Sequence, residues 1–323
     1  MLSCSNGAPT PSAVCTVESA VAVFSDANAV YIQSQDLTIV RFDRQSKSLT
    51  QFLAGAIAPA VAATDVGWLY GFARASAQQQ ITIVKIRKSD AQLVNYDQQL
   101  PATVFGLPMA LDSAHIFTVA QTALIQLSKQ DPTAAGVTIA TLDPSLTVDG
   151  LAADGAYVFV SSHVGYDDAN EIDRIALSDG TKVVVTTAAL PMTPVAVVDG
   201  CVFWYAFAPG SYGWSFEPEV SLVRVDTATL SNYSSVPGGA WKVFAMDGIA
   251  SNLTAIYWLA YDWNGGANVV SWSSVNVSAV EVADAMAPLQ GVSVFTISAT
   301  DDALFWLATD PHQNEVVEGL SLK

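Results

Sequence analysis

Charge is scarce in this 323-residue chain, and positive charge scarcest: 13 Lys and Arg stand against 30 Asp and Glu, a net charge of -17 with only 13% of residues charged. A nucleic-acid surface needs clustered Lys and Arg to displace counterions, and these few are scattered, which excludes nucleic acid and disfavours anionic lipid as partners. Cysteine is nearly absent. The three, Cys4, Cys15 and Cys201, are too few for a disulfide framework and lack the Cys/His spacings of a zinc site. Cys4 is open to pairing with Cys15, to acylation or to remaining a thiol, and Cys201 reads as a small buried hydrophobe. No apolar run reaches 18 residues, so no stretch reads as a transmembrane helix. Also missing are a Gly-x-Ser-x-Gly elbow, a phosphate-cradling glycine loop and His-Glu-x-x-His. Apolar residues, by contrast, make up 51% of the chain, ample for a large core and incompatible with disorder.

What the chain has is repetition. An apolar run ends near an aspartate, a turn follows, and a second run rises to an aromatic five positions on: Asp26 to Tyr31, Asp65 to Tyr70, Asp112 to Phe117, Asp154 to Phe159, Asp199 to Trp204 and Asp301 to Trp306, with Asn252 to Tyr257 as the asparagine variant. Asp or Asn at the start of a tight turn accepts backbone N–H bonds, so turn chemistry is the reading for these residues. A weaker repeat follows each aromatic, as in Ile39-Val40-Arg41-Phe42 and Leu222-Val223-Arg224-Val225, with a polar third place between apolar neighbours. That is a strand with one packed face and one partly wet face.

Successive aromatics lie 39 to 53 residues apart. Four short strands per repeat of about 40–50 residues is the pattern of propeller blades. The fold expected is therefore all-β: a seven-bladed β-propeller of four-stranded antiparallel blades, with residues 1–12 a flexible linker and 13–323 a single domain. The last unit stops after its third strand. Its missing fourth is assigned to Ser12-Ala13-Val14-Cys15-Thr16, closing the last blade and covering an edge. Fourth strands elsewhere are read at Leu49 to Phe52, Gln92 to Tyr96, Val137 to Leu142, Val183 to Thr186, Leu230 to Ser234 and Val280 to Ala283.

Units four to seven carry long segments between their second and third strands, and equivalent hairpins of a propeller emerge on one side. The expected binding surface is acidic and aromatic: Tyr166, Asp167, Asp168, Tyr212, Trp214, Glu217, Glu219, Tyr261, Asp262, Trp263, Asp310 and His312. Such a surface suits a glycan, a small molecule or a protein partner through stacking, hydrogen bonding and cation–π contact. Calcium is an option at Asp167, Asp168, Asn170 and Glu171, a loop rich in hard oxygens without calcium-loop spacing; no other cofactor is expected. Of three histidines, His115 begins a strand, while His163 and His312 are read on loops of the fourth and seventh units beside acids; either could form a general acid/base pair with a nearby carboxylate, the basis of an alternative reading as a lyase or hydrolase.

The Asp199 to Trp204 turn with its Leu222 to Val225 strand resembles the repeats of bacterial exported and lipoprotein β-propellers in the broad TolB-like, NHL-like and virginiamycin-lyase-like group. The likeness lies in structural positions, so it implies fold more than activity, and it carries no catalytic residue of the lyase members over to a position here. Met1-Leu2-Ser3-Cys4 resembles the end of a bacterial lipobox, implying export and a possible lipid anchor at Cys4. The sequence reading is thus an exported, monomeric binding propeller without chemistry of its own.

Overall fold

The computed structural model describes residues 12–55, 60–74, 80–101, 108–164, 170–189, 193–207, 220–236, 241–242, 249–252, 254–262, 267–273, 280–284, 296–309 and 315–322. Among these, every regular element is a β-strand. β1 (Ser12–Thr16) precedes seven units. Blade one is β2 (Ala20–Ser25), β3 (Ala29–Ser34), β4 (Ile39–Asp43) and β5 (Leu49–Leu53); blade two is β6 (Ala60–Thr64), β7 (Trp68–Arg74), β8 (Gln80–Arg87) and β9 (Leu93–Pro101). Blade three is β10 (Met109–Leu111), β11 (His115–Ala120), β12 (Ala123–Ser128) and β13 (Val137–Thr141); blade four is β14 (Thr147–Ala153), β15 (Tyr157–His163), β16 (Asn170–Ala176) and β17 (Lys182–Ala189). Blade five is β18 (Val195–Val198), β19 (Cys201–Phe207), β20 (Val220–Asp226) and β21 (Ser234–Val236). In blade six, β22 (Trp241–Lys242) and β23 (Ile249–Ser251) both pair with β24 (Ala255–Asp262), which β25 (Ala267–Ser273) and β26 (Val280–Asp284) follow. Blade seven is β27 (Ile297–Ala299), β28 (Ala303–Thr309) and β29 (Glu315–Ser321), completed by β1.

The chain is therefore all-β, seven antiparallel four-stranded blades of the β-propeller class, with the N-terminal strand supplying the last blade's fourth strand as the repeat count requires. β1 runs antiparallel to β29, from Ser12 opposite Gly319 to Thr16 opposite Val316. The chain packs as two compact units, Met1–Phe52 with Ala208–Leu222 and Ser234–Lys323, and Leu53–Phe207 with Val223–Tyr233. In the first, Val17, Val23, Val30 and Ile32 pack with Phe305, Leu307 and Val317. In the second, Tyr70 and Phe72 pack against Ile116 and Leu127, Phe117 against Val158 and Val160, and Phe159 against Val202 and Trp204.

The corners are built by side chains. Asp26 Oδ1 accepts the amides of Asn28 and Ala29, Asp65 those of Gly67 and Trp68, Asp112 those of Ala114 and His115, Asp154 those of Ala156 and Tyr157, and Asn252 those of Thr254 and Ala255. Asp65 does most. Its Oδ2 also accepts Tyr70 OH at 2.8 Å and Lys129 Nζ at 2.9 Å. Burial opposes its ionisation, but the bonds from Lys129 and Tyr70 outweigh that and hold the carboxyl below the usual range. Asp65→Ala leaves the Lys129 ammonium and Tyr70 hydroxyl half-desolvated, an expected loss of about 2 kcal/mol after allowing for partial exposure. Urea unfolding measures it, and an unchanged midpoint would show the network to be ornamental.

Two units depart from the repeat as read in the sequence. Unit five turns in two residues, Asp199 (φ 47°) and Gly200 (φ 71°), with Val198 opposite Cys201. Asp-Gly is the pair suited to the left-handed conformations of this turn. In unit seven the corner is Thr300, whose Oγ1 accepts the amide of Ala303. Both changes move the aromatic by one place. Thr227 N donates to Gly200 O and Leu322 N to Asp302 O, as Arg44 N does to Asn28 O, so Phe203 and Phe305 occupy the position of Tyr31. Trp204 and Trp306 fall on the opposite face, where Trp204 packs on Phe159 and Ile172 and Trp306 on Tyr257 and Val269. A one-residue slip in a strand reverses every side chain. The fourth strand of unit five also lies later than Leu230 to Ser234: Leu230 (φ 54°) and Asn232 (φ 58°) are left-handed, which interrupts extended backbone until Ser234.

Candidate functional site

The end of each blade opposite the corners is where the second strand finishes and the third begins. At that end of blade four, β14 carries a bulge between Val148, opposite Ser162, and Gly150, opposite Ser161. The bulged residue is Asp149. A bulge re-aims the extra side chain, and Asp149 Oδ2 lies 2.7 Å from His163 Nδ1 at the end of β15. Both side chains are buried, 7% and 10% exposed. A carboxylate facing Nδ1 makes that nitrogen the proton-bearing one and fixes the plane of the ring.

Around this pair the strand ends are polar yet buried. Ser161 and Asn170 are fully buried, and Ser162 and Thr193 nearly so. Asn170 Nδ2 donates to Ala189 O at 3.1 Å, and Thr193 Oγ1 accepts Tyr205 N at 2.9 Å. Among the described residues, Ser161 Oγ, Ser162 Oγ and Asn170 Oδ1 have no hydrogen-bond partner. Such groups are uncommon in native interiors and call for an explanation. Beside them, on the other face of β16, Lys182 Nζ bridges Glu171 Oε1 at 2.7 Å and Asp173 Oδ2 at 2.6 Å.

Of the surface read from the sequence, Tyr261 and Asp262 lie at the end of β24, opposite Lys242 and Trp241; their side chains, and Tyr166, Asp167, Asp168, Tyr212, Trp214, Glu217, Glu219, Trp263, Asp310 and His312, lie outside the described residues. In the set considered for calcium, Asn170 and Glu171 are engaged with Ala189 and Lys182, and Asp167 and Asp168 lie outside the described residues. His115 sits at the corner end, its Nδ1 3.1 Å from Asp112 Oδ2. Cys15 and Cys201 are free thiols, that of Cys15 pushed up to about 11 by burial, and Cys4 lies outside the described residues. No helix among the described residues is long and apolar enough to cross a membrane.

Sequence reasoning missed Asp149. It lies fourteen residues from His163, and only the strand pairing with its bulge brings them together. A signal did exist, since Val148-Asp149-Gly150 puts a charge inside a run of strand character, where an aspartate needs a partner.

No family model matches the chain, nor does any curated protein. Solved structures do. One, described in a study of two prolyl endopeptidases and the role of inter-domain dynamics in catalysis and specificity, matches with TM-score 0.62 and 10% identity over 96% of this chain. A puromycin-hydrolyzing peptidase of Mycobacterium tuberculosis matches with TM-score 0.63 and 12% identity over 96%. The present chain spans about half of each, 51% and 53%. The computationally designed Ika8 protein matches with TM-score 0.58 and 12% identity, over 96% of this chain and 99% of that one. At these identities the likeness establishes a shared fold.

Proposed function

We propose that this is an exported, monomeric binding propeller that recognises a glycan, small molecule or protein partner through the loops of units four to seven, without chemistry of its own. The observation that supports it is the Asp149–His163 pair. Blade one places Val21 and Gln35 at the same distances from its corner Asp26, with a bulge between Ala20 and Ala22 and Gln35 N bonded to Ser19 O. The blade thus folds without an acid–imidazole pair, and a desolvated one at the base of unit four's long segment calls for a role beyond folding. An imidazole three residues before Tyr166, Asp167 and Asp168, paired with the Asp149 carboxylate, suits a hydroxyl-rich or cationic group, and the net charge of -17 disfavours polyanions. Lipid attachment at Cys4 belongs to the same proposal, and mass spectrometry of the native protein tests it.

The test combines a panel of neutral, cationic and anionic oligosaccharides with thermal unfolding, because a ligand selective for the folded state raises the midpoint. A neutral or cationic member is expected to do so. Exchanging the pair for blade one's residues, Asp149→Val with His163→Gln, is expected to keep the unliganded midpoint within a few degrees and to weaken the ligand at least about tenfold, a loss of about 1.4 kcal/mol. Undiminished affinity in the exchanged variant would refute the assignment.

A second reading rests on the same distance. A histidine held by a carboxylate at 2.7 Å has the arrangement of a general base with its orienting acid, so hydrolysis or lyase chemistry is the rival. The activities named for the two peptidases belong to chains of which this one matches half. Turnover of a bound panel member, abolished by His163→Gln, would favour the enzyme.

A further inference from the structure

By strand register, Ser161 and Asn170 of blade four lie on the face that carries Phe159 and Ile172, and these two share a core cluster with Trp204 of blade five. Ser161 follows Phe159 on one face of β15 and pairs with Ile172, Asn170 lies two places before Ile172, and Trp204 packs on both Phe159 and Ile172. Ala189 ties the two blades together, pairing with Asn170 on one side and Ala206 on the other. The three residues are 0–2% exposed. Each nevertheless leaves a polar atom without a partner among the described residues: Ser161 Oγ, Asn170 Oδ1 and Trp204 Nε1.

We propose that blades four and five enclose an internal water site bridging Ser161 Oγ, Asn170 Oδ1 and Trp204 Nε1. The chemistry of the three atoms selects the occupant. Asn170 Nδ2 is committed to Ala189 O, which fixes the amide orientation and leaves Oδ1 as a pure acceptor. Trp204 Nε1–H is a pure donor, and the serine hydroxyl is either. None of the three groups is charged, so they match neither a cation nor an anion, whereas a neutral molecule that both donates and accepts satisfies all three. The two blades are also close-packed here. A Cβ on Gly150 would stand 3.0 Å from Val195 N and 3.3 Å from Thr193 O, so β14 is pressed directly against the approach to β18. At such burial the smallest donor–acceptor fits best, and interior waters typically make about three hydrogen bonds to groups of this kind. This site is independent of the Asp149–His163 reading and stands or falls separately.

One conservative substitution tests it by sign. Ser161→Ala deletes one polar atom while nearly preserving shape. If water bridges the atoms, the variant loses a hydrogen bond and its thermal midpoint falls by roughly 1–3 °C. If the hydroxyl is bare, replacing an orphaned polar atom by an apolar one raises the midpoint, which would overturn the site. A high-resolution crystal structure of the unaltered chain decides independently. Water density within hydrogen-bond distance of at least two of the three atoms supports the proposal; direct bonds among them, an empty seam or a larger bound molecule refutes it.

Discussion

Removing residues 12–17 is expected to lower the thermal midpoint by roughly 6 °C, the largest single loss anticipated for this fold. β1 does two things for blade seven. Its backbone pairs with β29 from Gly319 to Val316, and Val17 N adds a bond to Glu315 O at 3.2 Å. Its side chains also close a core: Val17 is buried and Val14 and Cys15 half-buried against a cluster that includes Val30, Phe305 and Val317. Burying one valine and two partial neighbours contributes on the order of 4 kcal/mol, and deletion opens a β29 edge ready to pair with another chain. Gly319 shows how close the fit is. A Cβ there would come within 2.8 Å of a Val14 methyl and 3.1 Å of the Phe305 ring. A synthetic peptide of residues 10–19 added to the shortened chain should restore the midpoint in a concentration-dependent way. If the shortened chain melts as the full one does and stays monomeric, β1 is a passive tail and the closure carries no stability.

The blades were readable because two local devices recur at fixed spacing: a corner that accepts two amides and an alternation of apolar and polar places. Asp26, Asp65, Asp112 and Asp154 behave as turn chemistry dictates. The errors arose where a different local device served the same purpose. Asp-Gly at 199–200 makes a shorter turn than Asp154-Gly155, yet both begin with the same two letters, and Thr300 replaces the carboxylate of Asp301 one residue early. Spacing from an aspartate to an aromatic is blind to such slips, because Phe203-Trp204 and Phe305-Trp306 offer an aromatic in either phase. The candidate site was less legible for another reason. Asp149 reaches His163 through a bulge, a feature created by pairing and invisible along one strand. His163 was legible as a titratable group beside acids, but the sequence placed it in unit four's loop, whereas β15 runs on through Ser161 and Ser162 to end at His163.

Between about pH 4 and pH 7 stability is expected to fall, and Asp173→Asn is expected to abolish much of the fall. Asp173 is fully buried on β16, and burial first, then the neighbouring Glu171, drive its carboxyl up to about 7 despite the Lys182 ammonium 2.6 Å away. A carboxyl that titrates higher in the folded state than in the unfolded chain keeps its proton preferentially when folded. Its contribution is intact below the unfolded value near 3.8 and is lost as pH rises through the folded value. Over that window the loss is roughly 3–4 kcal/mol at most. Glu171 acts in the opposite sense: burial raises it, but the bond from Lys182 prevails and holds it low, so its contribution is present above its unfolded value and lost on acidification. Lys182 is held up, burial notwithstanding, by both carboxylates. It therefore remains charged throughout the window, and the decline belongs to Asp173. Because the whole chain is acidic, general repulsion also grows with pH, and the difference between variant and parent isolates the local effect. Urea midpoints measured from pH 4.5 to 8.5 should diverge, with Asp173→Asn near the parent at the acid end and more stable at the alkaline end, where parent Asp173 holds an ion in the interior. Lys182→Met should act in reverse, steepening the parent's decline by leaving two adjacent carboxylates without their cation. Parallel curves for Asp173→Asn and the parent would mean that Asp173 ionises as easily inside blade four as in the open chain.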